Sequence, residues 1–306
     1  MNKIFRAFAF FLCCSTAYCQ IVVMSCVPAL GLLVKQIGND HVTVKNLFDR
    51  PTDPHFFQLT PQQLVSLHQS DLTIVAQEFV DKIPLPADRI ISIYHINEQT
   101  PVYIHALQLL QTGIEKNHKH DHAHDHAGHK DCDCHDHKHL AHSHHHSSIK
   151  HEWLSFNGAI ALTEVIVAKL SHLDPEHAQF FKENAKKVYA ELKALKAKYH
   201  QQPLSKQHLF YHDSFQNLAI ELDQNFGPAL YRCEESTISA HELARIVAQQ
   251  DHYTNLIIET TTHTHSLERL IDKIKLPIVK IDTLGYGNYQ SHTSFIDLIL
   301  KEIYQR

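Results

Sequence analysis

The stretch DPEHAQFFKENAKKVYAELKALKAKYH, residues 174–200, decides the architecture of this chain. It opens with Asp174 as a helix N-cap, Pro175 at the first helical position and Glu176 in the first turn, where the helix dipole favours a negative charge. A helix from Pro175 to His200 would be about 39 Å long at 1.5 Å per residue, enough to connect two lobes. Its apolar residues recur at spacings of four and three, which predicts an amphipathic helix: Phe181, Ala185, Val188, Leu192, Leu195 and Tyr199.

Strands alternate with helices on both sides of this segment, which predicts an α/β lobe on each side. The apolar run IVVMSCVPAL, residues 21–30, is expected to form a buried parallel strand that a helix follows from Leu30 to Gln36. The other predicted strands are Val42 to Leu47, Leu72 to Val75, Arg89 to Tyr94, near Leu209, near Leu230, Asn255 to Glu259 and Pro277 to Ile281. The other predicted helices are Pro61 to Gln69, Val102 to Lys116, Asn157 to Leu173, from Ser214, Ser239 to Gln249, Ser266 to Ile274 and from Ser291.

The fold class is therefore α/β, with two similar lobes, each a mostly parallel sheet flanked by helices, joined by one long rigid helix. A chain of 306 residues that is 43% hydrophobic is long enough for this, because one core rarely grows past about 250 residues. The expected divisions are an N-terminal lobe at residues 20–173, a linker helix at 174–202 and a C-terminal lobe at 203–306.

Histidine is unusually abundant, with 29 residues against 28 lysines and arginines together. Because histidine titrates near neutrality and is the commonest metal ligand, this composition indicates metal or proton chemistry. The formal net charge of -5 and the lack of a basic run argue against a nucleic-acid partner.

The first 19 residues have the features of a signal peptide. Lys3 and Arg6 provide a basic start, an apolar run follows from Ala7 to Cys14, and small residues come after it. The run is too short to span a bilayer. We expect cleavage after Cys19 and a periplasmic protein; a lipid anchor on a cysteine of this segment is the competing interpretation.

Residues 118–146 consist almost wholly of His, Asp, Lys, Ala, Ser and Cys. Without apolar periodicity the segment cannot bury a core, so we interpret it as a disordered, solvent-exposed insertion in the first lobe. It either collects metal ions or is a solvated linker with incidental affinity. Its candidate ligands are His118, His120, His122, His124, His126, His129, Cys132, Cys134, His135, His137, His139, His142, His144, His145 and His146.

Three further histidines stand at the ends of predicted elements, where α/β sheets place ligands. His55 lies between a strand and the Pro61 helix, His151 precedes a helix, and His212 ends the first strand of the second lobe. Each alone would be more typical of packing or capping.

In the residues around these three histidines, the chain resembles the zinc and manganese group of periplasmic solute-binding proteins, the ZnuA-like receptors of metal ABC importers. The family pattern P-H-x-F-x-L-x-P matches at Pro54 to Pro61, and H-x-W-L-S matches at His151 to Ser155, although Ile149 and Lys150 replace the usual Asp and Pro. The sequence YHDSF at Tyr211 to Phe215 resembles the third ligand motif. The segment IDTLG resembles a fourth, I-D-P-L-G, with Asp282 as the acid and Thr283 in place of Pro.

The resemblance implies a zinc site in a cleft between the lobes, made by His55, His151, His212 and Asp282. Three imidazoles and a carboxylate suit tetrahedral zinc, whereas manganese prefers more oxygen ligands. A water or another carboxylate could take the place of Asp282 as the fourth ligand. Asp282 can also be interpreted as a helix-capping residue. Glu259 can be interpreted as a structural residue at the end of a strand in the second lobe. The implied partners are the permease and ATPase subunits of a metal ABC importer, with the receptor as a monomer.

Two alternatives stay open: a manganese or iron receptor of the same family, and a periplasmic zinc buffer or chaperone not coupled to an importer. We do not expect an enzyme. The sequence has no H-E-x-x-H helix, and no glutamate stands beside two near ligands as a general base.

Overall fold

The structure is a computed structural model that describes residues 20–52, 57–93, 151–231, 239–262 and 272–305. Several predicted features lie outside these residues: the signal peptide at 1–19, His55, the helix from Val102 to Lys116, the His-rich segment at 118–146 and most of the helix from Ser266 to Ile274.

In the part of the chain that the structure describes, each lobe contains a sheet of four parallel strands. The first sheet has the order β2-β1-β3-β4 and comprises β1 (Ile21–Ser25), β2 (Val42–Asn46), β3 (Leu72–Ile74) and β4 (Ile90–Ile91). The second has the order β6-β5-β7-β8 and comprises β5 (Gln207–His212), β6 (Ala229–Tyr231), β7 (Tyr253–Glu259) and β8 (Ile278–Ile281). The two sheets thus share one topology, and the predicted fold class is confirmed.

Seven α-helices flank or connect the described strands. They are α1 (Pro28–Gly38), α2 (Pro61–Gln69), α3 (Phe156–Leu173), α4 (Ala178–His200), α5 (Gln216–Glu221), α6 (Ala240–Ala248) and α7 (His292–Gln305). Among these residues, no helix combines the length and apolar character needed to cross a bilayer.

The prediction for the first apolar run was wrong at its carboxyl end. The strand stops at Ser25, and α1 begins at Pro28 rather than at Leu30. The run is apolar throughout because the strand and the helix that packs on it are both buried, so composition does not mark the turn. Pro28 at the first position of α1 does mark it, since proline lacks the N–H that a helix start leaves unpaired.

The long helix α4 joins the lobes, packing against α1 and α3 of the first lobe and α7 of the second. All six residues of the predicted apolar stripe, Phe181 to Tyr199, are buried. The α-helix begins at Ala178, because Pro175–His177 forms a 3-10 turn. Asp174 holds the N-cap position of that turn, but its side chain makes no capping hydrogen bond, which corrects the capping role expected for its carboxylate.

A carboxylate from the second lobe caps a helix of the first. Glu221, the last residue of α5, accepts hydrogen bonds from the backbone N–H groups of Phe156 and Asn157, at 2.6 and 3.1 Å, and from Ser155 Oγ at 2.6 Å. These donors lie at the start of α3, where a helix leaves N–H groups unpaired and favours negative charge. The cap therefore fixes the second lobe against the residues that follow His151.

Candidate metal centre

Residues that follow the carboxyl ends of the two sheets contact one another, and the region between them is called the cleft here. The backbone N–H of Ala29, at the start of α1, donates to the carbonyl of Leu284 at 2.9 Å. Gly285 next to it has φ 82°, and a Cβ there would lie 2.8 Å from the Ala29 nitrogen. This close backbone approach requires glycine, and it holds the loop after β8 against the first lobe.

His151 enters the cleft from the first lobe. Its side chain is buried, and its backbone adopts the left-handed conformation, with φ 53° and ψ 45°, directly before the 3-10 turn Glu152–Leu154. Its carbonyl accepts from the N–H of Leu154 at 2.8 Å, and its ring meets that of Trp153 edge to face, with centroids 5.2 Å apart. The backbone of His151 thus adopts a conformation that non-glycine residues rarely adopt, and the contact with Trp153 packs the imidazole ring against the first lobe.

His212 enters the cleft from the second lobe, as the last residue of β5. Its ring centroid lies 5.0 Å from that of His151, with the ring planes at 81°. The structure thus brings together two of the predicted site residues, one from each lobe.

Two carboxylates flank the His212 ring. Nδ1 lies 3.0 Å from Glu259 Oε1 and 2.8 Å from Ser214 Oγ, and Nε2 lies 3.3 Å from Asp213 Oδ1. Ser214 Oγ also donates to Glu259 Oε1. Burial alone would raise the pKa of Glu259, but the hydrogen bond and charge of His212, the Ser214 hydroxyl and the charge of His151 lower it to about 2. Glu259 is therefore an anion that orients His212.

Sequence reasoning gave Glu259 only a structural role as a strand end. The missed signal was topological: β5 and β7 are adjacent parallel strands, so their last residues, His212 and Glu259, meet at one edge of the sheet. The order of the strands in the sheet cannot be read from the sequence, so the sequence alone did not predict that His212 and Glu259 meet.

Asp282 follows β8, and its carboxylate orders the loop behind it. Oδ1 accepts from the N–H groups of Leu284 and Gly285, at 3.1 and 2.9 Å. Oδ2 accepts from the N–H of Gly287 at 2.7 Å and from the hydroxyl of Tyr289 at 3.1 Å. Both oxygens of the predicted fourth ligand therefore already have loop partners.

The described part of the cleft offers fewer than four converging ligands. Among the residues that the structure describes, one set of three His, Cys, Asp or Glu side chains brings its ligand atoms within 4.8 Å of one another, and it lies elsewhere, at His41, Asp174 and His177. His55, the first histidine of the predicted site, is outside these residues.

The structure resembles solved metal-binding proteins along nearly its whole length. A crystal structure of ZnuA matches with a TM-score of 0.65 and 19% identity, covering 94% of this chain and 98% of that one. A zinc-bound ZnuA deletion mutant matches with a TM-score of 0.66 and 20% identity, covering 93% and 97%. A manganese-bound periplasmic metal-binding protein from Candidatus Liberibacter asiaticus matches with a TM-score of 0.60 and 16% identity, covering 94% and 99%.

These similarities concern the fold, because the identities are low. None of the curated proteins compared with the chain matches it. The family model described as ZnuA, zinc-uptake complex component A, periplasmic, matches residues 23–305. The chain therefore belongs to the ZnuA family, whose members are periplasmic metal-binding receptors of ABC importers and not enzymes.

Proposed function

We propose that this protein is an exported receptor that captures Zn²⁺ between its lobes and delivers it to the permease of an ABC importer. One observation carries the proposal: His151 and His212, from different lobes, face each other with ring centroids 5.0 Å apart. Two imidazoles converging across a cleft suit capture of one ion, because ligands from both lobes are needed to close the site.

The surroundings of His212 support a ligand role. A metal-binding histidine commonly donates its second ring N–H to a carboxylate, which fixes its tautomer and raises its basicity. With Nδ1–H donating to Glu259 at 3.0 Å, the lone pair of His212 is on Nε2, where it can bind the ion. The anionic Glu259 also lowers the electrostatic cost of bringing a dication near two imidazoles.

Zinc is the favoured cargo. His55 would add a third imidazole, and zinc accepts nitrogen-rich tetrahedral sets that manganese accepts poorly. For the fourth position we keep Asp282 or a water as the sequence-based proposal. Asp213, whose Oδ1 lies 3.3 Å from His212 Nε2, is a further carboxylate for the same role.

The proposed route begins with export by the signal peptide at residues 1–19. The His-rich segment at 118–146 would collect zinc weakly and exchangeably, because such a chain must be ordered at each binding event. The receptor would act as a monomer and release the ion to the permease, with the ATPase subunit driving uptake.

The test is a competition titration of the mature full-length protein against a chromophoric zinc chelator. Changing His151 and His212 together to Ala should remove the tightest class of sites, whereas the matched change of His68 and His172, both exposed, should leave it intact. If the double cleft variant kept that class, the cleft would not be the principal site.

Two further experiments test which metal the protein carries and whether it delivers that metal to an importer. Manganese at the same free concentration should displace little zinc; equal displacement would favour the manganese receptor. A strain that lacks the chromosomal gene should regain growth on scarce zinc with the wild-type protein but not with the cleft variant. Equal growth with both would favour a zinc buffer that no importer uses.

A further inference from the structure

A second cluster of ligand-type side chains lies outside the cleft. His177 Nδ1 is 2.9 and 2.8 Å from the two carboxylate oxygens of Asp174, and His41 Nδ1 is 3.8 Å from Asp174 Oδ2. The two imidazole rings have centroids 3.9 Å apart. One ligand atom from each residue can be chosen so that all lie within 4.8 Å of one another.

This cluster lies at the far end of the first lobe from the cleft. His41 ends the 3-10 turn Asn39–His41, directly before the amino end of β2, whereas the cleft lies at the carboxyl ends of the strands. Asp174 and His177 lie at the turn that opens the long helix α4. The cluster therefore joins the edge of the first sheet to the start of the linker helix.

Helix capping does not account for the arrangement. Asp174 stands at an N-cap position, where an aspartate ordinarily accepts from a backbone N–H of the first turn, yet its side chain makes no such bond. Both of its oxygens point instead at the His177 ring. His177, the residue before α4, makes no side-chain cap either.

Aromatic packing holds the His41 ring in place. Its centroid lies 5.0 Å from that of Phe180 and 5.9 Å from that of the buried Phe181, both edge to face. The ring is thereby oriented before any ion arrives, which reduces the ordering cost of binding. At the same time, side-chain exposure of 21% at both His41 and Asp174 leaves the cluster open to solvent.

We propose that His41, Asp174 and His177 form a second metal site, which binds Zn²⁺ through two imidazoles and one carboxylate with water completing the tetrahedron. Zinc bonds of about 2.0 to 2.2 Å at tetrahedral angles put neighbouring ligand atoms about 3.3 Å apart, so His41 Nδ1 has to approach Asp174 Oδ2 from its distance of 3.8 Å. The same angles place the centroids of two zinc-bound imidazoles about 5 Å apart, so the His41 and His177 rings have to separate from their distance of 3.9 Å. Zinc then takes the position between His177 Nδ1 and Asp174, and the neutral imidazole binds it through the Nδ1 lone pair while its one N–H proton lies on Nε2. This site does not depend on the function proposed for the cleft.

Zinc bound at this second site would link two segments that are distant in sequence, residues 39–41 and 174–177. Because a ligand that binds only the closed arrangement stabilises it, zinc suppresses local opening at both segments together. The readout is therefore local, and zinc bound to the His-rich segment does not produce it.

Hydrogen–deuterium exchange of the mature full-length protein, with and without zinc, tests the proposal. At free zinc ten times the Kd of this site, exchange through local opening should slow about tenfold in peptides that cover residues 39–46 and 174–182. His41→Gln and His177→Gln should each abolish most of this slowing, and His68→Gln, at an exposed histidine of the same lobe, should retain it.

Glutamine keeps a polar side chain at each position, and circular dichroism of the metal-free variants checks the fold. If His177→Gln perturbs it, Asp174→Asn provides a second removal of a ligand. No slowing in the wild type at saturating zinc, or slowing that survives in both histidine variants, overturns the site. A zinc-edge anomalous difference peak between the three side chains in a crystal of the full chain would confirm it directly.

Discussion

The indole N–H of Trp153 donates a hydrogen bond of 2.7 Å to the backbone carbonyl of Thr283. Trp153 lies two residues after His151, and Thr283 directly follows Asp282. The bond is buried and joins the first-lobe loop that presents a cleft histidine to the second-lobe loop that Asp282 orders. The position of His151 thus depends on contacts with the opposite lobe.

Replacing Trp153 with Phe should lower the free energy of unfolding by about 1 to 3 kcal/mol, because the buried carbonyl of Thr283 loses its donor. The smaller ring adds a packing loss on top of this. Urea denaturation of the metal-free protein measures the change. Stability equal to that of the wild type would show that the carbonyl finds another donor.

Changing Glu259 to Gln should weaken zinc binding about 10- to 100-fold, the usual range when a carboxylate that orients a histidine ligand is lost. The neutral amide no longer raises the basicity of the His212 ring as the carboxylate anion does. Competition titration measures it, with Glu183→Gln on the exposed face of α4 as the control. A change in affinity of less than twofold would mean that Glu259 has no part in orienting the ligand.

Replacing Asp282 distinguishes a role as a metal ligand from a structural role in its loop. Asp282→Ala leaves the N–H groups of Leu284, Gly285 and Gly287 without their acceptor, so the metal-free protein should lose about 1 to 3 kcal/mol of stability. Denaturation in the presence of a chelator measures this. A metal-free stability that is unchanged, with zinc affinity alone reduced, would favour a pure ligand role.

Acid should destabilise the protein through His292. This residue is fully buried, and its Nε2–H donates to the carbonyl of Trp153 at 2.9 Å. Burial, opposed by that hydrogen bond, lowers the pKa of His292 from 6.5 to about 4. The unfolded chain therefore takes up a proton at higher pH than the folded one does, and stability falls as pH drops from about 6.5 towards 4.

The contribution of His292 to this loss should approach about 3 kcal/mol at pH 4, since one pKa unit corresponds to about 1.4 kcal/mol. His292→Gln should be less stable at pH 7 but show a shallower fall across the same range. Denaturant titrations at intervals of pH measure both profiles. Parallel profiles would rule out His292 as the titrating group.

Local sequence signals predicted most of the described elements. The helix over Pro61–Gln69 was correct at both ends, and its start is marked by Pro61 and by the capping box that Thr60 and Gln63 form. The buried stripe of α4 followed from its spacing, and β5 ends at His212 as predicted. These features depend on residues within one or two turns of each other.

What the sequence did not reveal depends on pairings distant along the chain. Glu259 lies 47 residues from His212, and only the order of the strands places them together. His41 and Asp174 meet because α1 packs on α4, a contact that no local period encodes. The hydrogen bonds of Asp282 to its own loop could have been predicted from the sequence, because aspartate before a glycine-containing turn commonly accepts from the following N–H groups.

The cap that Glu221 places on α3 bears on how the molecule melts. Separating the lobes would break the three hydrogen bonds that Glu221 accepts at the start of α3, and the helix end would lose the carboxylate that caps it. The main core cluster also runs through both lobes, so the lobes share packing as well as this cap, while a smaller separate cluster lies within the second lobe. Two sheets of identical topology therefore form a single cooperative unit, and a calorimeter should record one endotherm rather than one for each lobe.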